Sequence, residues 1–415
     1  MKGPRSTARE ALSSAGMLVS TFALLAGLLA LRPFQRGNDL LDRIFDGAPA
    51  WTQVRLLHRD PSMEDTSHGE DLGGSLRTLA DAWEARGRGH SLGEPSRRVY
   101  FMGNSQMQDV SLAAGEEPPS APEKTYFYQV ADHYQQTAGD RLALYRLSFP
   151  AISYAEVLWS LRYVTQVPAL EPDVVLLQIN YQAFRQAGIR DGVLGMLSQP
   201  DFRASVEAVA RGGEPHAETF AEARRRWDER EARSAANRAP APGSSFISTL
   251  SSLELGSAAE TRARVWLAGA PGFATRAAQK DEFLEMLYRL RLYVLQVKPT
   301  TVRPIGGARL VQNQSALDAI AELCAQQGVR LVLFHAPLNP RVELHATPED
   351  RQSYEEMVRS FAARHDLVIV DFERVVPAER WGRLLNGPDP MHLSRAGHQM
   401  LARRIIESGI VEGSR

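Results

Sequence analysis

The sequence predicts an α/β domain built on a parallel sheet. Two observations carry that reading. Five short period-2 or continuous apolar runs have the length and composition of strands, and helical patterns fall between several of them. Strands that alternate with helices pair in parallel, because each crossover returns the chain to the same sheet edge. With 44% hydrophobic and 23% charged residues, the composition is that of a globular chain. The 48 Lys+Arg against 49 Asp+Glu leave a formal net charge of -1, so no chain-wide field recruits nucleic acid. The single cysteine, Cys324, excludes an intramolecular disulfide framework and any cysteine-rich metal site.

Residues 1–10 form a short basic tail with Lys2, Arg5 and Arg9. Ala11 to Leu31 contains no charge, and Arg32-Pro33 closes it. At ~1.5 Å per residue, this run makes a helix of ~31 Å, enough to cross a bilayer's hydrocarbon core. The reading is a transmembrane anchor. A cleaved signal peptide and a buried globular helix are its rivals, and the exit Leu28-Leu29-Ala30-Leu31-Arg32 offers no small-residue cleavage site. Arg32, Arg36 and Arg43 flank the far side, yet the short basic tail favours a cytoplasmic N-terminus and an extracytoplasmic body.

Residues 32–95 read as a linker and helical lead-in, with a short helix over 40–45 and another over 75–86. The five strands are then Val99–Met102, Leu142–Leu147, Asp173–Ile179, Val329–Phe334 and Leu367–Val370. Helices fall over Tyr126–Thr137, Ala155–Val164, Ser315–Gln327 and Pro348–His365. Ser315 with Asp318 suggests a helix start of the capping-box type. Residues 186–304 break the rhythm and read as a helical insertion between the third and fourth strands. It includes a highly charged helix at 221–235 whose face is solvated, a break at 238–245, and an apolar stripe over Phe283, Leu287, Leu290, Val294 and Val297.

Two places carry chemistry. Gly103-Asn104-Ser105-Gln106 follows the first strand directly. Ligands of open parallel sheets sit outside the strands' carboxyl ends, so a serine on that turn has an exposed hydroxyl where substrate would bind. A plain turn serine is the competing reading. The second place is Asp389-Pro390-Met391-His392-Leu393-Ser394-Arg395-Ala396-Gly397-His398, read as a tight loop before a terminal helix. There the Asp389 carboxylate can hold the imidazole tautomer, and His392 can take a proton from a serine hydroxyl. No HExxH, Cys/His cluster, P-loop or nicotinamide fingerprint is present, and no metal or cofactor is expected. His335 at the end of the fourth strand and Asp109 are weaker candidates for the cleft. His398 is expected to pack at the start of the last helix.

Gly103-x-Ser105 after the first strand, with Asp389-x-x-His392 and Gly397-His398 near the C-terminus, resembles the SGNH (GDSL-like) hydrolase superfamily. The resemblance covers about residues 97–185 and 305–411. It implies a flavodoxin-like three-layer sandwich with a parallel five-stranded sheet, its catalytic domain spanning 96–185 and 305–411. It also implies a centre in which Ser105 is the nucleophile, His392 the general base and Asp389 its orienting partner. Ala151 stands where the superfamily's second block usually offers a glycine amide to the oxyanion hole. In the third block Gln182 falls on the asparagine position by register, with Asn180 as its rival. The oxyanion donors implied are therefore Ser105, Ala151, and Gln182 or Asn180.

The anchor, the divergent third block and the loop His335-Ala336-Pro337-Leu338-Asn339-Pro340 narrow the resemblance. They are similar to the membrane-anchored SGNH-like proteins of bacterial cell-envelope acylation, of the D-alanyl-lipoteichoic-acid biosynthesis and alginate O-acetylation types. That similarity implies an extracytoplasmic O-acyltransferase or esterase acting on a glycan or polyol ester. Its expected partners are a membrane-bound O-acyltransferase, an acyl donor and a glycan acceptor. A plain lipase or esterase, and a non-catalytic scaffold for such a transferase, are the alternatives.

Overall fold

The computed structural model describes residues 55–58, 97–107, 125–138, 142–148, 151–238, 307–342, 346–384 and 387–412. Its strands are β1 (Arg55–His58), β2 (Arg97–Gly103), β3 (Leu142–Ser148), β4 (Val174–Ile179), β5 (Arg330–His335), β6 (Val368–Asp371), β7 (Trp381–Leu384) and β8 (Gly387–Leu393). Its α-helices are α1 (Tyr126–Ala138), α2 (Tyr154–Val164), α3 (Pro200–Ala210), α4 (Ala217–Arg238), α5 (Gly307–Gln326), α6 (Pro348–Arg364) and α7 (Arg395–Ser408).

The central sheet has the order β1-β3-β2-β4-β5-β6. From β2 to β6 every pairing is parallel, and each strand coincides with one of the five apolar runs. A sixth strand, β1, lies antiparallel on β3 and adds an edge to the five parallel strands expected. Its sequence, RLLH, is too short to show a period. The first parallel strand, β2, has the second and third, β3 and β4, on either side. The chain therefore switches direction at β2, and open parallel sheets bind their ligands outside the carboxyl ends of the strands at such a point.

The apolar runs are continuous because the parallel strands are covered on both faces. Val99, Phe101, Leu144, Leu176 and Phe334 face one core, packed under α1 and α7. Tyr100, Met102, Tyr145, Leu177 and Leu333 face the other, under α2, α5 and α6. This is the three-layer arrangement. Fully burying one such side chain stabilises the fold by ~1.5–3 kcal/mol.

The helical stretch after β4 extends the second core. Phe202 of α3 and Phe220 of α4 each bring a ring centroid to 5.2 Å from that of Trp159 on α2. The charged helix expected at 221–235 is thus solvated on one side only, since Phe220 and Ala223 are buried beneath it. Exposed pairs such as Arg225–Glu229 (4.0 Å) line its outer side. The start of α5 is also corrected. It begins at Gly307, and Ser315 lies inside the helix, hydrogen-bonded to His216 Nδ1 at 2.8 Å. Asp318 pairs with Arg364 and His365 rather than capping. A complete capping box is instead formed by Ser153 and Glu156 at α2.

The segments read as helices over 40–45 and 75–86, the apolar stripe over 283–297, Asp109 and the anchor at 11–31 all lie outside the described residues. Among the described residues no helix is long and apolar enough to cross a membrane.

Candidate active site

β2 ends at Gly103, and Asn104 leads into a short 3-10 turn, Ser105–Met107. The turn is closed by Met107 N–H to the Asn104 carbonyl (3.1 Å). The Asn104 side chain accepts the Gln106 amide at 3.0 Å. Gly103 is required by close approach, since a Cβ there would collide with the Gln178 side chain. Its neighbour Gln178, on β4, also accepts the Asn104 N–H through Oε1 at 3.0 Å. Ser105 is half-buried at the carboxyl end of β2.

Asp389 and His392 lie within β8, in its irregular stretch between the Arg383–Pro388 and Trp381–Leu393 pairs, where Asp389 Oδ1 accepts the Met391 and His392 amides and closes the tight turn that the sequence suggested. This strand forms a two-stranded antiparallel sheet with β7, separate from the central sheet. The missed hairpin has a physical reason: Gly387-Pro388-Asp389-Pro390 carries two prolines and reads as a turn, yet an edge strand tolerates them. The hairpin is followed by α7, which Ser394 caps at the Gly397 amide. Gly397 allows the close packing there, because a Cβ would run into the Arg380 carbonyl.

The fold brings the three residues together. Ser105 Oγ lies 3.0 Å from His392 Nε2. His392 Nδ1 lies 3.1 Å from Asp389 Oδ2. Asp389 is buried, and its other oxygen accepts the Met391 and His392 amides at 2.8 and 3.0 Å. Burial pushes the Asp389 carboxyl up. The hydrogen bond and charge of His392 and the two amides together outweigh it, so the pKa is held below the usual carboxylate value. An ionised Asp389 accepts from Nδ1–H, which leaves Nε2 unprotonated and facing the serine hydroxyl.

The expected oxyanion donors lie on turns leaving the same sheet edge. Ala151 follows β3, whose last residue, Ser148, pairs with Gly103. Ala151 is exposed, with φ 51°, a left-handed conformation that favours glycine. Its amide and that of Ser105 donate to nothing among the described residues. The turn is held rigidly: Ser153 Oγ donates to the Gly188 carbonyl (2.8 Å), and Arg190 grips Glu156 through Nε and Nη2 (2.6 and 2.9 Å). Asn180 follows β4 and is buried. Its Oδ1 accepts the Ala183 amide at 2.8 Å, which leaves Nδ2 as a donor with no partner among the described residues. Gln182 lies two residues on, half-buried, with no side-chain hydrogen bond to the turn it precedes. Of the two carboxamides, the structure holds Asn180 in place and leaves Gln182 untied.

A left-handed alanine is strained by ~1–2 kcal/mol relative to glycine, against ~0.5–1 kcal/mol of extra chain entropy that glycine loses on folding. Ala151→Gly is therefore expected to keep or raise stability, by up to about 1 kcal/mol, with the amide still in place. A thermal melt tests this, and a clear fall in melting temperature would show that the turn is not strained.

Two histidines stand apart from the triad. His398 is fully buried at the start of α7, where Nδ1 accepts the Tyr126 amide at 3.2 Å and the rings stack at 5.8 Å. His335 ends β5 at 3.8 Å from Glu373, and burial lowers its pKa. Among the described residues no group of three or more His, Cys, Asp or Glu is placed to hold a metal ion.

The sequence did not reveal the buried amides around the triad. Gln178, Gln106, Asn313 and Asn339 are each at most 3% exposed. Asn313 accepts the Tyr154 amide at 3.1 Å and donates to the Phe184 and Gln186 carbonyls at 3.2 and 2.7 Å. It thereby ties the turn after β3 to the turn after β4. Asn339 donates to the Asp389 carbonyl at 2.7 Å. The one signal for Gln178 was a polar residue inside the apolar run VVLLQI, which must find partners if buried.

No known protein family and no curated protein sequence matches this chain. Solved structures similar to it include an alpha/beta hydrolase enzyme from the metagenome of Lake Arreo, Spain, at 13% identity and a TM-score of 0.35, covering 77% of this chain and 97% of that one. An acetyl xylan esterase is similar at 11% identity and a TM-score of 0.35, covering 75% and 98%. An acetylxylan esterase from Geobacillus stearothermophilus is similar at 12% identity and a TM-score of 0.35, covering 77% and 95%.

Proposed function

We propose that this chain is an SGNH-type serine hydrolase that acts on esters through an acyl-enzyme. The observation that carries the reading is the hydrogen-bonded chain Ser105–His392–Asp389 at the carboxyl end of β2. A serine hydroxyl is a weak nucleophile at its own pKa, and a neutral imidazole acceptor at 3.0 Å is the base it needs. Ser105 Oγ attacks the acyl carbon as its proton passes to His392 Nε2. The imidazolium is stabilised by ionised Asp389. The oxyanion is received by the Ser105 and Ala151 amides and the Asn180 carboxamide, with Gln182 as the alternative side-chain donor. One such donor contributes ~3–4 kcal/mol to the barrier reduction. The intermediate collapses, the leaving alkoxide takes the proton from Nε2, and the acyl group stays on Ser105. His392 then takes a proton from water or an acceptor hydroxyl, whose oxygen attacks the acyl carbon; the second tetrahedral intermediate collapses, Ser105 Oγ takes the proton back from Nε2, and the acid or new ester leaves.

A fluorophosphonate tests the reading. It is expected to phosphonylate Ser105 alone, read by peptide mass, in a protein that also turns over p-nitrophenyl acetate. A chain that does neither is a scaffold rather than an enzyme.

The finer reading proposed is an extracytoplasmic O-acyltransferase or esterase of the cell envelope, tethered by residues 11–31 and working beside a membrane-bound O-acyltransferase. Its support is the uncharged run behind a short basic tail. In this reading the acyl group passes to a glycan or polyol hydroxyl, which must be held well enough to compete with water. The domain limits proposed with it are 96–185 and 305–411 for the catalytic part and 186–304 for the insertion. Reporter fusions after residue 45 are expected to report an extracytoplasmic location. A cytoplasmic signal removes the anchor and the envelope role while leaving the esterase chemistry untouched.

A further inference from the structure

We infer that Gln106 is a positioning residue that fixes the distance between nucleophile and base; the inference rests on the esterase reading above. The base stands on a hairpin that forms no part of the central sheet, whereas the nucleophile stands at the end of a central strand. Something must hold one against the other. Gln106 is the residue after Ser105, and its Nε2 donates to the Met391 carbonyl at 3.1 Å, the residue before His392. The second Nε2 hydrogen goes to the Pro337 carbonyl at 3.1 Å, in the loop after β5. One buried side chain thus spans from the backbone of the nucleophile to the backbone of the base.

The orientation of this amide is forced. Two carbonyls can only accept, so the nitrogen end of Gln106 must face them. Its Oε1 then accepts from Gln178 Nε2 at 2.7 Å. That sets Gln178 in turn, with its Oε1 left to accept the Asn104 amide at 3.0 Å. The result is a closed series from Asn104 through Gln178 and Gln106 to Met391, linking β2, β4, the loop after β5 and β8. At 1% exposure Gln106 presents nothing to substrate, so it acts through His392 and not on the reacting atoms.

A displacement of ~1 Å between reacting groups can lower a rate about 10²-fold. Gln106→Met fills nearly the same volume but removes every side-chain hydrogen bond. Gln106→Glu keeps the acceptor toward Gln178 and loses at least one of the two donors, since even a protonated carboxyl has a single O–H. Each is expected to lower kcat for p-nitrophenyl acetate by about 10- to 100-fold with KM within about threefold. In a His392→Ala background the same substitution is expected to change the residual rate by less than about twofold, because there is no base left to place. A general loosening of the fold would instead raise KM and slow the His392→Ala protein further. Variants as fast as wild type, losses that multiply in the His392→Ala background, or two variants that both fail to fold would each overturn the positioning role. A wild-type protein that neither turns over ester nor labels at Ser105 overturns the esterase reading, and this inference falls with it.

Discussion

Ser105→Ala is expected to lower ester turnover by at least about 10³-fold, and Ser105→Ala/His392→Ala to be no slower than the slower of the two single variants. The expectation follows from the contact itself. His392 Nε2 sits 3.0 Å from Ser105 Oγ, so the two are successive holders of one proton. Removing the base disables the hydroxyl, and removing the hydroxyl leaves the base nothing to deprotonate. Two losses that target one step cannot multiply. His392→Ala alone is expected to lower kcat on the order of 10³-fold or more. Stability should change little in Ser105→Ala, within about 0.5 kcal/mol, since a small, half-buried side chain leaves no sizeable cavity. The acid limb of kcat belongs to His392, which must be neutral to accept the proton. Steady-state kinetics on the three variants tests the assignment. Multiplicative losses would show independent roles and would sink the triad.

Asp389→Asn is expected to separate activity from stability. Asp389 has two tasks. Oδ1 receives the Met391 and His392 amides, which shapes the backbone that carries the base. Oδ2 faces His392 Nδ1 and selects its tautomer. Asparagine keeps the first task, since its carbonyl can still accept both amides. It reverses the second, because its NH₂ group faces Nδ1 as a donor. The imidazole then carries its hydrogen on Nε2 and cannot take the serine proton. The expected loss is on the order of 10²- to 10⁴-fold in kcat, with a melting temperature near that of wild type. Asp389→Ala should lose activity and also leave the two amides unpaired, with a destabilisation of about 1–3 kcal/mol. An asparagine variant with near-normal kcat would remove Asp389 from the mechanism.

The sign of the acid response follows from the same carboxylate. Its pKa is lower folded than unfolded, so its contribution to stability is complete above the unfolded value. That contribution is lost as pH falls through the folded value. Asp389 therefore stays ionised throughout the neutral range, where it stabilises the imidazolium.

The strands were readable because their signal is local. VYFM, LALYRL and VVLLQI declare two-sided burial within four to six residues, and the structure pairs them as parallel neighbours. Ser105, Asp389 and His392 were readable because the resemblance carried them, although 287 positions separate the serine from the histidine. The start of α5 was misplaced for a physical reason. A serine with an acidic residue three positions on makes a cap only if the backbone before it leaves the helix, and here it does not. Ser153 with Glu156 has the same spacing and does cap, since the turn at Ala151 breaks the chain immediately before it.

By itself, the sequence determined the parallel α/β core and the residue types able to do serine chemistry, since both are encoded in short windows and in side-chain chemistry. Only the tertiary structure decided how those residues are held. It put the base on a separate hairpin, gave Ala151 its left-handed turn, held Asn180 and left Gln182 untied. It also joined Gln178 to Gln106 across 72 positions and Gln106 to Met391 across 285. The reason is that a buried amide must find its partners wherever the packed sheet register brings a donor or acceptor within reach, and no local window specifies that register.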